Sequence, residues 1–224
     1  MGPTERSPGH GTAIGCTTHE NRSMSRSISA RSRRTPRLEL RPFRRRDVEP
    51  LIGAVSDSTE ELERWLPWVH RGYGRADALR FIRDSSAAWV DGRAYDFAIR
   101  RPDDLGDHIG NISVWPVSIR ERSGEVGYWI RTSETGTGVA TEAAAAVLAV
   151  AFEEMALHRV TLRIAVGNGA SERVAEKLGF VNEGLLRKEV LVAGEWLDHT
   201  LWAMLEEEYR AERDKWVERG WAAG

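Results

Sequence analysis

The chain has 224 residues, 41% of them hydrophobic, with 32 Lys plus Arg against 34 Asp plus Glu and a formal net charge of −2. That length can bury one substantial core, enough for one domain plus an appendage, and the near-neutral balance argues for neither nucleic acid nor membrane as a partner through bulk charge. No apolar run approaches a membrane span, because the stretch Val139 to Phe152 is broken by Thr141 and Glu142; the chain reads as a soluble protein with an expected cytoplasmic location.

Residues 1 to 36 are rich in Ser, Thr, Arg and Gly with almost no apolar periodicity, a composition that cannot bury enough surface to order itself. They are expected to form a solvated basic tail without the apolar region of a secretory signal. Arg-rich, Ser-rich composition superficially suits a transit peptide, and the internal Met24 offers an alternative start. Cys16, the single cysteine, lies in this tail, so neither an internal disulfide nor a multi-thiolate site is available. The six histidines show no H-x-x-x-H pairing, and no metal is expected. Glycosylation sequons at Asn21 and Asn111 are read as chance matches.

The folded domain is expected over 37–210, with 211–224 as the end of a closing helix and a tail. Leu38, Leu40 and Phe43 suggest a first strand, and Asp47 is a fair N-cap for a helix near Val48 to Val55. A second helix is expected from Thr59 to Trp65, stopped by Pro67 because the residue before proline is pushed out of the α region. A third spans Arg75 to Val90, with Leu79, Ile82, Ala87 and Val90 near one face. Tyr95, Phe97 and Ile99 alternate as a strand, the segment Pro102 to Gly106 turns the chain, and another strand follows at Ile109 to Trp115. The Arg44 to Arg46 run reads as a solvated loop.

Next comes Val126-Gly-Tyr-Trp-Ile130, which empties through Thr135-Gly-Thr-Gly138-Val-Ala140 into an alanine-rich helix ending near Ala151. A strand that passes through two glycines into a helix start makes an anion site, since the first helical N–H groups lack internal partners and carry the positive dipole end. Phosphate is the natural guest. The turn is not a Walker loop, because Val139-Ala140 stands where Lys-Ser or Lys-Thr is needed, and it is not a dinucleotide fingerprint, because Thr141 occupies the third glycine position. Ala143 to Ala146 keep side chains small so that this helix can lie close to a sheet, and Glu142 suits the first helical turn as a structural acid. Val160, Leu162, Ile164 and Val166 alternate as a strand delivering Asn168, followed by a helix from Ser171 to Leu178 that Gly179 terminates. Leu185 to Val192 and Trp196 to Leu205 form a hairpin around Ala193-Gly194, and Glu206 to Glu218 a closing helix. The fold class is α+β, a mixed, mostly antiparallel central sheet flanked by helices.

The loop resembles the acyl-CoA pyrophosphate loop of the GNAT N-acetyltransferase superfamily, Gln/Arg-x-x-Gly-x-Gly/Ala, read here as Thr135-x-x-Gly138-x-Ala140 with threonine in place of the first residue. About thirty residues downstream, a gap like that between paired mononucleotide-type blocks, Asn168-Gly-Ala-Ser171-Glu-Arg-Val174-Ala-Glu176-Lys177-Leu-Gly179-Phe180 resembles the Asn-x-x-Ser-x-x-Val-x-Glu-Lys-x-Gly-Phe segment of the ribosomal-protein N-terminal acetyltransferase (RimJ/RimL-like) branch. Phe97 to Ile99, Gly110 to Trp115 and Glu125 to Ile130 fit the branch's preceding strands, and Trp65-Leu-Pro-Trp68 is similar to a substrate-side segment. The resemblance spans Leu38 to Tyr209.

It implies direct acetyl transfer from acetyl-CoA, as co-substrate, to an amine. Gly136, Thr137, Gly138, Val139, Ala140 and Thr141 would wrap the pyrophosphate; backbone groups of Trp129, Ile130 and Arg131 would pair with pantetheine like an added strand; and the Asn168 carboxamide would hold a pantetheine amide, or else shape the turn. Where many relatives place a tyrosine seven residues after the asparagine, this chain has Ala175. Ser171 is therefore the expected donor to the departing thiolate, unless it caps the helix. Glu125 is the leading base, relayed by water, or a solvated strand-end acid; His108 and Asp198 are secondary candidates, and His199 is read as strand decoration. Trp65 and Trp68 would wall the acceptor pocket. Three readings of function stay open: acetylation of a protein N-terminal α-amine such as that of a ribosomal protein, acetylation of a small-molecule amine, and a CoA-binding sensor without turnover. A monomer or homodimer is expected.

Overall fold

A computed structural model describes residues 28–222 apart from residue 105. Eight strands form one sheet in the order β1-β2-β3-β4-β5-β6-β8-β7: β1 Arg33–Arg34, β2 Glu39–Pro42, β3 Tyr95–Arg100, β4 Gly110–Ser118, β5 Ser123–Ile130, β6 Arg159–Ala165, β7 Val181–Val192 and β8 Glu195–Leu205. Every neighbouring pair is antiparallel except β5 and β6. The helices are α1 Val48–Ser56, α2 Thr59–Leu62, α3 Arg75–Val90, α4 Val139–Ala149, α5 Gly169–Leu178 and α6 Glu206–Glu218. This is the mixed, mostly antiparallel sheet with flanking helices that the sequence predicts.

Strand alternation divides the core in two. Ile112, Val114, Val126 and Ile130 pack against α4, where Ala143, Ala144 and Ala145 are fully buried and let the helix backbone approach the sheet. On the opposite face Ala98 and Trp129 pack beneath α1 and α3, against Leu51, Val55, Ala78 and Ile82. The sheet thus presents α4 on one side and the α1–α3 pair on the other, with β5 shared by both.

Several local expectations change. The boundary placed near residue 36 moves back: Ile28 is buried in the main core, Trp89 Nε1 donates to its carbonyl at 3.2 Å, and β1 pairs with β2. A single apolar anchor, with Arg33 bonded to both Glu154 oxygens at 2.8 and 2.7 Å, orders a stretch whose composition is otherwise that of a tail. Cys16, Met24 and the sequon at Asn21 lie outside the described residues. Asp47 precedes α1 but has helical dihedrals and makes no side-chain cap. Its carboxylate instead accepts from buried Arg41 at 2.7 and 2.8 Å, from buried Arg100 at 3.0 Å and from the Arg44 N–H at 2.8 Å. Helix α2 stops at Leu62 and continues to Trp65 as turns. Strand β4 runs on to Ser118 through an irregularity after Pro116, and β7 begins at Val181, ahead of the expected Leu185. The Ala193-Gly194 turn has φ of 49° and 90°, the left-handed pair that a tight hairpin demands. Among the described residues no helix is long and apolar enough to cross a membrane.

Candidate active site

The cleft begins where β5 and β6 part. They pair from Ser123↔Arg159 through Glu125↔Thr161, and beyond Glu125 the β6-side edge of β5 has no partner strand. Arg131 N–H donates to the Ile109 carbonyl at 2.7 Å, so Arg131 and Trp129 face β4. Since backbone bonding alternates along an antiparallel strand, the groups of Tyr128 and Ile130 are the ones turned to the open edge. The expectation of Trp129, Ile130 and Arg131 as an edge therefore narrows to Ile130, with Tyr128 added. The Arg131 side chain is also engaged, with Asp57 and, at 3.3 Å, Asp107.

At the end of β5 the chain enters the glycine loop. Gly136 and Gly138 have φ of +77° and +85°, a region that L side chains rarely adopt, and Gly138 leads directly into α4. The resulting cleft, about 190 Å³, is lined by Trp129, Ile130, Thr135, Gly136, Gly138, Val139, Ala140 and Thr141 on one side and by Asn168, Ser171 and Val174 on the other. Thr137 and Arg131 do not line it. The open loop backbone at the start of α4 fits a diphosphate, because unpaired N–H groups and the dipole converge there.

Asn168 caps α5, its Oδ1 accepting from Ser171 N–H at 3.2 Å. The capping role foreseen for Ser171 thus belongs to Asn168, whose carbonyl oxygen is committed to the turn. Ser171 Oγ meets Tyr128 instead, with the phenol donating at 3.2 Å. Burial pushes the Tyr128 phenol up to about 12, against the pull of this hydrogen bond. It therefore keeps its proton at neutral pH. Sequence reasoning used Tyr128 only as part of a strand; the signal available was its alternation with Val126 and Ile130, which places it on the face opposite Gly127 and Trp129.

A second, larger cavity of about 810 Å³ opens under α3 on the α1–α3 side of the sheet. Its floor is Asn111, Ser113 and Trp115 of β4 with Gly127, Tyr128 and Trp129 of β5, and its rim includes Trp68, Tyr73, Asp77, Asp84 and Asp96. A Cβ at Gly127 would lie 3.2 Å from the Trp115 ring, so glycine lets that indole lie across the floor. Tyr128 and Trp129 line both spaces. Of the two tryptophans expected at the acceptor, Trp68 lines this larger cavity, edge-on to Tyr73 at 5.9 Å and tilted to Trp129 at 6.1 Å. Trp65 lines the smaller cleft instead, its indole N–H reaching Glu61 at 3.3 Å.

The expected bases are differently placed. Glu125 lies outside both cavity linings and accepts from Arg163 Nε at 2.9 Å, while Arg163 Nη1 reaches Glu189 at 2.8 Å. Burial holds the Glu125 carboxyl above the usual range despite Arg163. His108 is buried, bonded through Nε2 to Asn111 Oδ1 at 2.7 Å. Burial, then the neighbouring Arg100 charge, lower its pKa to about 4, so it is neutral and sequestered. Asn111 is 7% exposed and so closed to glycosylation. Asp198 Oδ1 accepts from Lys188 N–H at 2.7 Å within the β7–β8 hairpin, and His199 is buried in β8. Glu142 is fully buried and accepts from Thr35 Oγ1 at 2.5 Å, Arg37 N–H at 2.9 Å and Arg37 Nε at 2.6 Å, which makes it a structural acid.

A parted parallel strand pair over a glycine loop and helix start is the arrangement that the sequence resemblance implies, and comparison with known proteins agrees. The acetyltransferase (GNAT) domain profile matches residues 37–181. The chain is 31% identical over 178 residues to the uncharacterized N-acetyltransferase YnaD of Bacillus subtilis, covering 78% of this chain and 97% of that protein. It is 26% identical over 168 residues to the ribosomal-protein-serine acetyltransferase of Escherichia coli, covering 75% of this chain and 92% of that one. Among solved structures, Mycobacterium smegmatis RimJ in complex with CoA-disulfide superposes with a TM-score of 0.74 at 29% identity, covering 82% of this chain and 89% of that chain. The chain belongs to the GNAT acetyltransferase family and is an N-acetyltransferase.

Proposed function

We propose that the protein acetylates a protein N-terminal α-amine, of the ribosomal-protein type, with acetyl-CoA as donor. The observation that carries this reading is the shared wall: Tyr128 and Trp129 line both the donor cleft and the α3-side cavity, with the Tyr128–Ser171 hydrogen bond at the donor side. An amine in one space and a thioester in the other would meet at these two residues.

Bound acetyl-CoA supplies an activated acyl group. The open β5 edge at Tyr128 and Ile130 would hold the extended arm, and the backbone of Gly136, Gly138, Val139, Ala140 and Thr141 would face its diphosphate. Ser171 donates its hydroxyl proton toward the departing sulfur, and Tyr128, donating to Ser171 Oγ, orients that hydroxyl. The rim is mixed in charge, with Asp77, Asp84 and Asp96 beside Arg80 and Arg93; Asp77 accepts from Arg80 at 3.2 Å and Asp84 from Arg83 at 2.9 Å. Neither expected base lines the cavity, since Glu125 is held by Arg163 and His108 is enclosed; the imidazole in its lining is that of His70, with Nε2 at 3.8 Å from Asp77 Oδ2. An α-amine, with pKa about 8, is roughly a tenth neutral near pH 7, whereas a lysine-like amine at about 10.4 is almost wholly charged. Of the two amines, the α-amine needs the less help losing its proton.

The test is an acceptor screen with acetyl-CoA and mass readout, comparing peptides with free and blocked N-termini against polyamines and amino acids. Acetylation confined to free peptide α-amines is the expected result. Preferred modification of the small amines would replace this acceptor assignment.

A further inference from the structure

We propose that Arg37, which lies outside the glycine loop, supplies the cationic phosphate contact that Thr135 cannot make; the proposal rests on acetyl-CoA being the donor. Both hydroxyls nearest the missing position are turned inward, Thr135 Oγ1 donating to the Thr132 carbonyl and Thr137 Oγ1 to the Glu134 carbonyl, each at 2.7 Å. Neither has its proton left for a ligand. Arg37 reaches the loop from the segment before β2. Its Nη1 donates to the Thr137 carbonyl at 3.0 Å, and its Nη2 lies 3.3 Å from where a Cβ on Gly138 would stand.

The guanidinium is fixed from behind. Nε donates to Glu142 Oε2 at 2.6 Å, and Glu142 is itself buried and further bonded to Thr35 Oγ1 and Arg37 N–H. An arginine has five N–H donors, and only those at Nε and Nη1 are bonded here to described residues. The side chain is 45% exposed, so the remaining edge faces solvent beside the loop. A planar fork held by a buried carboxylate and pointed at a diphosphate loop is the geometry in which arginine binds phosphate well. Arg173 and Lys177 line the cleft from α5, but Arg37 is the cation bonded to the loop itself. Glycine at 138 also leaves room for the guanidinium.

The experiment compares acetyl-CoA with acetyl-pantetheine, which carries the same thioester without the diphosphate. Arg37→Gln should weaken acetyl-CoA binding about tenfold, the scale of one charge-assisted hydrogen bond, and flatten its salt dependence, while kcat/KM with acetyl-pantetheine stays within twofold of the parent. Thr135→Arg added to Arg37→Gln should restore acetyl-CoA affinity. Unchanged acetyl-CoA affinity in Arg37→Gln overturns the proposal, and so does an equal loss with both thioesters, which marks a merely structural residue. Should Arg37→Gln not fold, Arg37→Lys keeps the charge but not the fork; it should show the same selective loss for acetyl-CoA, and parental affinity there overturns the assignment. Failure of the parent protein to bind acetyl-CoA removes the donor reading itself, a result distinct from an effect confined to the variants.

Discussion

The Tyr128 phenol donates to Ser171 Oγ at 3.2 Å, tying the open edge of β5 to the first turn of α5 across the donor cleft. The bond leaves the serine proton free to point at a departing sulfur. Ser171→Ala should lower kcat by about 10²-fold, the lower end for a positioned proton donor, with acetyl-CoA affinity nearly unchanged. Tyr128→Phe should cost less, and the double variant should match Ser171→Ala alone, because the phenol acts through the serine. Losses that multiply in the double variant would show the two hydroxyls acting independently.

Much of this arrangement was legible in the sequence, and the pattern of what was not is physical. Strands such as Arg159–Ala165 and the Gly138 helix start announce themselves through periodicity and glycine, because each is local; Val166, expected to extend that strand, lies beyond its end and is exposed. The Tyr128–Ser171 bond spans 43 positions and the Thr35–Glu142 bond 107. No window of sequence contains either pair. Trp65 and Trp68 are three residues apart, yet they open onto different spaces because turns follow the end of α2 at Leu62. The basic stretch before β2 read as tail because one isoleucine and a few arginine contacts give no period, although they order the chain from Ile28 onward.

Acid should weaken the fold in a defined window through His108. Its folded pKa is lowered from 6.5 to about 4, chiefly by burial, so between those values the unfolded chain binds the extra proton and the native state does not. Stability therefore rises with pH across this window and falls as pH drops from about 6.5 to 4, by up to about 3 kcal/mol for a shift of this size. Urea denaturation at pH 7 and pH 4.5 checks it. His108→Gln should flatten the slope, and an unchanged slope would assign it to other groups.

Asp47 makes a separate claim on stability. Burial pushes its carboxyl up, but hydrogen bonds from Arg41 and the Arg44 N–H, with the Arg100 charge, outweigh that and hold it below its ordinary value. Its contribution is present above the ordinary carboxylate pKa and is lost as pH falls toward the lowered one. Removing the charge takes the Asp47 carboxylate away from two buried guanidinium groups, the costly half of breaking a buried pair. Asp47→Ala should lose about 3–5 kcal/mol in chemical denaturation. A loss under 1 kcal/mol would mean that solvent reaches Arg41 and Arg100 in the variant.

The separation of the two tryptophans offers a kinetic test of which space holds which substrate. Trp68 is 41% exposed at the rim of the larger cavity and does not line the smaller cleft, so truncation should act on the acceptor. Trp65 lines the smaller cleft beside Asn168 and Ser171, so its loss should act on the donor. Burial of one aromatic face is worth about 1.5–3 kcal/mol when complete, and partial contact at an open rim is worth less. Trp68→Ala should raise the acceptor KM about three- to tenfold with the acetyl-CoA KM unchanged, and Trp65→Ala should do the reverse. A common effect of both variants on both substrates would show that the two spaces move as one, through the Trp68–Trp129 contact at 6.1 Å rather than through separate pockets.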